Sequence, residues 1–112
     1  MDIKTRITKE KGRLLNVFAE VDANKLAVAT SLIDRAAFLT ISLQDLETEI
    51  NQQGWTEKYQ NGATQYGVKR SAAADTHVSL TKNLTSIIKQ LLDMTPPERR
   101  QESRLAAFLN DE

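Results

Sequence analysis

His77 is the only histidine and there is no cysteine, so the chain offers neither a thiolate metal set nor a cysteine nucleophile, and at most one imidazole base. His77 falls in the apolar seam of a helical run, three residues before Leu80, where an imidazole more readily packs than abstracts protons. Asp45, Glu47 and Glu49 form the acidic group best placed to gather a hard cation. Spacing by two on a helix splays their side chains, however, and only Asp45 and Glu49 share a face, so they read as solvated charge. Gly62 and Gly67 are too sparse for a phosphate-cradling loop. The expectation is a non-enzyme with no metal and no cofactor.

Cations carry the remaining chemistry. Lys4, Arg6, Lys9, Lys11 and Arg13 stand within ten residues against Asp2 and Glu10, with Arg6, Lys9 and Arg13 roughly opposite the apolar arc of a first helix. This is a candidate phosphate patch, and its plainer reading is the solvated face that any amphipathic helix shows. Lys69 and Arg70 form a second candidate, just before a helix N-terminus whose free N–H groups at Ala72 to Ala74 favour an anion. There the alternative is that Ser71 and Asp75 satisfy those donors. Net charge is zero at pH 7, so attraction to nucleic acid must come from such local patches.

The elements that position these groups are mostly helical. The chain of 112 residues, 40% hydrophobic and 27% charged, is too apolar for a disordered segment and fits one small domain over residues 1–112. No uninterrupted apolar run approaches the ~20 residues of a membrane span. The start, MDIKTRITKEKGR, lacks the apolar stretch of a secretory signal. Together with zero Cys, which fits a reducing compartment, this suggests a soluble intracellular protein with no membrane partner. A first helix is expected within residues 1–21, with Ile3, Ile7, Leu14, Phe18 and Val21 on one face and Gly12 weakening its middle. Asp22 and a Val21–Leu26 staple mark a second start at Ala23. The heptad seam Leu32, Ala36, Leu39, Leu43, Leu46, Ile50 runs on to Gly54, placed for a left-handed cap, giving a helix of about 30 residues and about 45 Å. Ser71 caps a third helix with Leu80, Leu84, Ile87, Leu91 and Met94 on its seam, stopped by Pro96 and Pro97. Thr95-Pro96-Pro97-Glu98 opens a short C-terminal helix with Leu105, Phe108 and Leu109, covering 95–112. The predicted fold is all-α: a long antiparallel hairpin over residues 22–94, with N- and C-terminal helices and a short β-ribbon-like connection.

That connection, WTEKYQNGATQYGVKRS (55–71), holds the only Trp, both Tyr and two of the four Gly. Asn61-Gly62 is a strong two-residue hairpin signal. A tight turn there pairs 59 with 64, 57 with 66 and 55 with 68, which puts Trp55, Tyr59, Tyr66 and Val68 on one face with Glu57, and Lys58, Gln60 and Gln65 on the other. A two-stranded ribbon is marginal alone. Its aromatic face is therefore expected to cap the open end of the helix pair, with a ligand or nucleic-acid face as the alternative.

The stretch from Asn61 to Pro97 resembles the C-terminal half of the phage terminase small subunits. Asn61, Gly62, Gln65, Gly67, Lys69 and Ser71, followed by a Lys- and Leu-rich helix ending near Leu91-Leu92-Asp93, carry the likeness, which extends from about Leu26 to Met94. Ala72 stands where many relatives have Ser-Pro. The resemblance implies an oligomeric DNA-packaging accessory that binds duplex DNA and hands it to a large terminase subunit in the bacterial host cytoplasm. No helix-turn-helix is evident, which weighs against sequence-specific reading. The alternative class is a non-enzymatic helical adaptor or inhibitor from a phage or mobile element that grips a protein.

Self-association is expected from surplus apolar surface. Leu32, Leu39, Leu43 and Leu46 on the seam, Ile33, Ala37 and Ile41 off it, and Ile88 and Leu92 beside the third helix's seam exceed what one partner helix covers. The resemblance adds the expectation of an assembly above a dimer with cyclic symmetry. A monomer whose outer helices wrap the hairpin is the competing arrangement.

Overall fold

The computed structural model describes residues 1–97. Helix α1 spans Ile3–Val17 and starts at a cap the sequence reading overlooked: the Asp2 carboxylate accepts the Thr5 N–H at 2.8 Å. It runs unbroken through Gly12, which faces open space. The next start differs from expectation. A 3-10 turn at Ala23–Lys25 precedes α2, Leu26–Gln53, and Asp22 makes no side-chain cap. The staple does not form either, because Val21 is buried while Leu26 is 55% exposed. At the far end Gly54 stops α2 with φ +91° and ψ 167°, its N–H bonded to the Ile50 carbonyl at 2.7 Å. This is an extended backbone at positive φ, open essentially to glycine alone, rather than the expected left-handed helical cap.

Strands β1, Thr56–Gln60, and β2, Tyr66–Arg70, form an antiparallel pair and lead into α3, Ala72–Asp93. Ser71 caps α3 as expected, its Oγ accepting the Ala74 N–H at 3.1 Å. The described chain is mostly helical, with three helices and one two-stranded sheet. It is therefore not purely all-α: the connection has ladder pairing of its own. The expected C-terminal helix with Leu105, Phe108 and Leu109 lies outside the described residues.

Helix α2 packs against α1 and against α3. Toward α3 it presents the heptad seam, with Ala36, Leu39, Leu43 and Ile50 buried and Leu32 and Leu46 half-buried. Ala29, Ile33, Ala37 and Ile41 form a second buried strip, flanked by ion pairs that hold α1: Arg6 Nη1 to Asp45 Oδ1 and Lys11 Nζ to Asp34 Oδ1, each 2.7 Å. Here the structure corrects the surplus-surface argument, because α1 covers the off-seam strip within the chain. Ile88 and Leu92 likewise pack, half-buried, against the chain's own core.

That core sits at one end. Leu14, Val17, Phe18 and Val21 meet Ala29, Ile33, Ala36, Ala37 and Leu91 there, and the alanines let the helices approach closely. The Asp22 N–H reaches the Met94 carbonyl at 3.3 Å and ties the α1–α2 corner to the end of α3. Among the described residues, only two helices continue beyond the reach of α1, and beyond them only the ribbon. Extents of 62 × 29 × 25 Å agree with this, since 28 helical residues give about 42 Å and a five-residue strand about 17 Å.

Within Ala23–Gln53 an 18-residue window reaches a mean hydropathy of 1.5, so by length and composition this helix is apolar enough to cross a membrane. A search for uninterrupted apolar runs passes over it, because Asp34, Arg35 and scattered Ser and Thr break the run, while the Leu, Ile, Val, Phe and Ala around them outweigh them in the window's mean. A helix packed on two sides has the same profile.

Two predictions follow from the caps and the core. Leu91 is fully buried where the helices converge, so Leu91→Ala should cost about 2–5 kcal/mol in chemical denaturation. Phe38→Ala, at a residue 51% exposed, should stay within about 1 kcal/mol. Equal losses would contradict the core placement. The side-chain and then the backbone hydrogen bond of Thr5 lower the Asp2 pKa below its ordinary 3.8. A carboxyl lowered by folding stabilises above the unfolded-state value, and that stability fades as pH falls through the folded one. The melting-temperature deficit of Asp2→Ala should therefore be largest near neutral pH and disappear below the carboxylate range. A deficit independent of pH would rule out the charged cap.

Candidate functional site

The ribbon is where the chain exposes what it does not use for its own packing. Every residue from 55 to 66 and from 68 to 70 is solvent-exposed, and Gly67 is only half-buried. Trp55, Tyr59, Tyr66 and Val68 are exposed by 54, 43, 72 and 64%. The expectation that this aromatic set caps the helix pair is thus not met, except at its root. There Trp55 meets the His77 ring edge-on at 5.8 Å and 83°, and His77 Nε2 lies 3.0 Å from Glu47 Oε2. The lone histidine fastens the ribbon to both helices of the hairpin. Asp45 and Glu47, considered above as a cation site, are engaged separately by Arg6 and His77.

The register also differs. Thr56 pairs with Arg70, Glu57 with Lys69, Lys58 with Val68, Tyr59 with Gly67 and Gln60 with Tyr66. The two-residue Asn61-Gly62 turn gives way to a longer loop closed by the Asn61 N–H on the Gln65 carbonyl at 2.7 Å, with Gly62 at φ +97°. The shift of three residues is odd, so it moves one strand's side chains to the other face. Glu57 and Tyr59 share a face with Gly67 and Lys69, whereas Tyr66 and Val68 stand opposite with Lys58 and Arg70.

Cross-strand chemistry explains why this register wins where no buried face enforces one. Tyr59 lies over Gly67 so closely that a Cβ there would sit 2.5 Å from the ring's Cζ. Lys69 reaches Glu57 at 3.5 Å and stands 5.9 Å from the Tyr59 ring centre. The Ser71 N–H closes the ribbon on the Trp55 carbonyl at 2.9 Å. The tight register would instead set Tyr59 against Thr64 and Glu57 against Tyr66, losing these pairs.

The cation patches are largely engaged within the chain. Arg6 and Lys11 hold α2, and Arg13 makes two 2.8 Å bonds to the nearly buried Glu10 carboxylate. Lys4 and Lys9 make no ion pair among the described residues. Arg6, Lys9 and Arg13 nevertheless line one concavity of about 350 Å³ with Gln44 and Ile41. In the second patch Lys69 faces Glu57, and Arg70 lies 3.4 Å from Asp75. At the helix start the Ser71 Oγ takes the Ala74 N–H, while Asp75 turns to Arg70. Lys58, beside Tyr66 and Val68, went unconsidered as a site residue. The signal that finds it is cross-strand register, which a turn rule alone does not supply.

A variant tests the Tyr59 seat. Gly67→Ala should push the flexible Tyr59 ring away from Lys69 and abolish the ring-current shift of the Lys69 methylenes by NMR. The melting temperature should barely change, since no ribbon residue belongs to the main buried cluster. An unchanged Lys69 spectrum, or a large loss of stability, would contradict this geometry.

Comparison with protein-family models, with characterised proteins and with solved structures gives no match.

Proposed function

We propose that the chain is a non-enzymatic DNA-packaging accessory of the terminase small-subunit type, which self-associates and touches duplex DNA and a large terminase subunit in a bacterial cytoplasm. The observation that carries the reading is the ribbon. The residues behind the sequence resemblance are its working parts: Asn61 closes the loop on Gln65, Gly62 takes positive φ, Gly67 seats Tyr59, Lys69 bridges Glu57 and Tyr59, and Ser71 starts α3. A motif that shapes an exposed element, and contributes little to its own core, fits a component that works by docking.

DNA contact in this reading falls first to α1. Lys4 and Lys9 hold no carboxylate within the described chain, so their charge is available to phosphates. Arg6, Lys9 and Arg13 line one hollow. Lys69 and Arg70 are secondary, because each must share its charge with a neighbouring acid.

Fluorescence anisotropy of a labelled duplex at several salt concentrations tests the reading. The expected result is salt-steep binding, with Lys4→Glu/Lys9→Glu lowering affinity and flattening the log–log slope by about 0.9 per lost phosphate contact. Arg6→Glu is the poorer probe, since it also removes a fastener of α1. Absence of salt-dependent DNA binding would overturn the reading and leave the protein-binding adaptor, which the exposed Tyr66 and Val68 independently favour.

A further inference from the structure

The two edges of the ribbon are chemically unlike each other. The Asn61 N–H to Gln65 carbonyl and Ser71 N–H to Trp55 carbonyl bonds fix the odd-numbered residues as the hydrogen-bonded pairs of the ladder. In an antiparallel pair the residues between them direct N–H and C=O outward. The free edge of β1 is therefore Thr56, Lys58 and Gln60, and that of β2 is Tyr66, Val68 and Arg70. The first is polar with a lysine at its centre, a usual guard against edge pairing. The second has Val68 at its centre, 64% exposed, beside Tyr66, 72% exposed.

We propose that the β2 edge pairs antiparallel with the β2 edge of a second copy, joining two ribbons into one four-stranded sheet with Val68 on the two-fold axis. The sequence is self-complementary in this register. Val68 meets Val68 of the second copy, and Tyr66 meets Arg70 in both directions, so a guanidinium lies by an aromatic ring and no like charges are opposed. Each outward N–H and C=O of Tyr66, Val68 and Arg70 finds a mate. The equivalent pairing through β1 would set Lys58 against Lys58. Arg70 is free enough to turn, because its contact with Asp75 is a 3.4 Å pair between side chains each more than half exposed. The ribbon also gains what it lacks, since two strands alone are marginal and three or more are not. Its projection past the helices leaves room for the second copy.

A two-fold contact closes at two copies. It uses none of the helical seams and stands whether or not the chain binds DNA.

The chain has no cysteine, so an introduced one reports a single position. In a hydrogen-bonded antiparallel pair the two residues at position 68 lie about 5.5 Å apart at Cα, within disulfide range. Under mild oxidation at micromolar concentration, full-length Val68→Cys should accumulate a disulfide-linked dimer at least about tenfold faster than Lys58→Cys, which sits on the same face at the other edge. In light scattering, Val68→Lys should halve the solution mass relative to wild type while helix content is unchanged. A wild type that is monomeric up to about 100 µM, equal cross-linking at both positions, no cross-linking at either, or a Val68→Lys mass equal to wild type would each overturn the proposal.

Discussion

Helix α2 must bury two apolar strips at once, and the remaining architecture answers that requirement. One strip, centred on Ala36, Leu39 and Leu43, is the heptad seam that α3 covers; the other, Ile33, Ala37 and Ile41, is covered by α1. Each helix alone would leave α2 with exposed apolar area, at about 25 cal/mol for every Å² left in water. The strips merge where α1 ends and α3 finishes, around the fully buried Ala36, Ala37 and Leu91. A single convergence point explains why the corner at Asp22 is tied to Met94 by a backbone bond, and why the chain is long and narrow with its core at one end.

This asymmetry divides the cations by task. Those near the core act as fasteners: Arg6 and Lys11 cross to carboxylates of α2, and Arg13 neutralises a glutamate that would otherwise be costly to bury. Exposed pairs of this kind add little stability individually. Their stronger effect is orientation, because Asp34 and Asp45 accept only an α1 lying on the second strip. The clustering of five cations in ten residues therefore says as much about how α1 docks as about what it touches outside.

The sequence shows the helical hairpin clearly and the ribbon only partly. Gly54, Ser71 and the two prolines mark boundaries because backbone chemistry leaves those positions few options. Asp2 carries the same information three residues before Thr5, yet it is easily passed over beside a run of charges. The destination of Ile33, Ala37 and Ile41 is not written locally. An apolar strip looks the same whether a neighbouring helix or another chain covers it, and only the pairing of Asp34 and Asp45 with Lys11 and Arg6 decides between them. The ribbon's existence follows from its turn residues. Its register does not, because Asn-Gly chemistry competes with cross-strand contacts such as Tyr59 on Gly67, which pattern rules do not weigh.

That competition has consequences for binding. In the tight register all four large apolar side chains would share one face, as befits a cap folded onto the helices. In the observed register Trp55 and Tyr59 are engaged near the root and over Gly67, while Tyr66 and Val68 turn to the opposite face together with Lys58 and Arg70. The same odd shift sets which backbone groups point outward, so the residues presenting side chains on that face also present the free N–H and C=O groups of both edges. Surface chemistry and edge chemistry thus coincide on β2, where an extended partner would meet apolar side chains and a hydrogen-bonding template together. On β1 the same coincidence gives lysine and glutamine, which water satisfies. The ribbon is therefore directional: one edge is suited to a partner strand and the other is left to solvent.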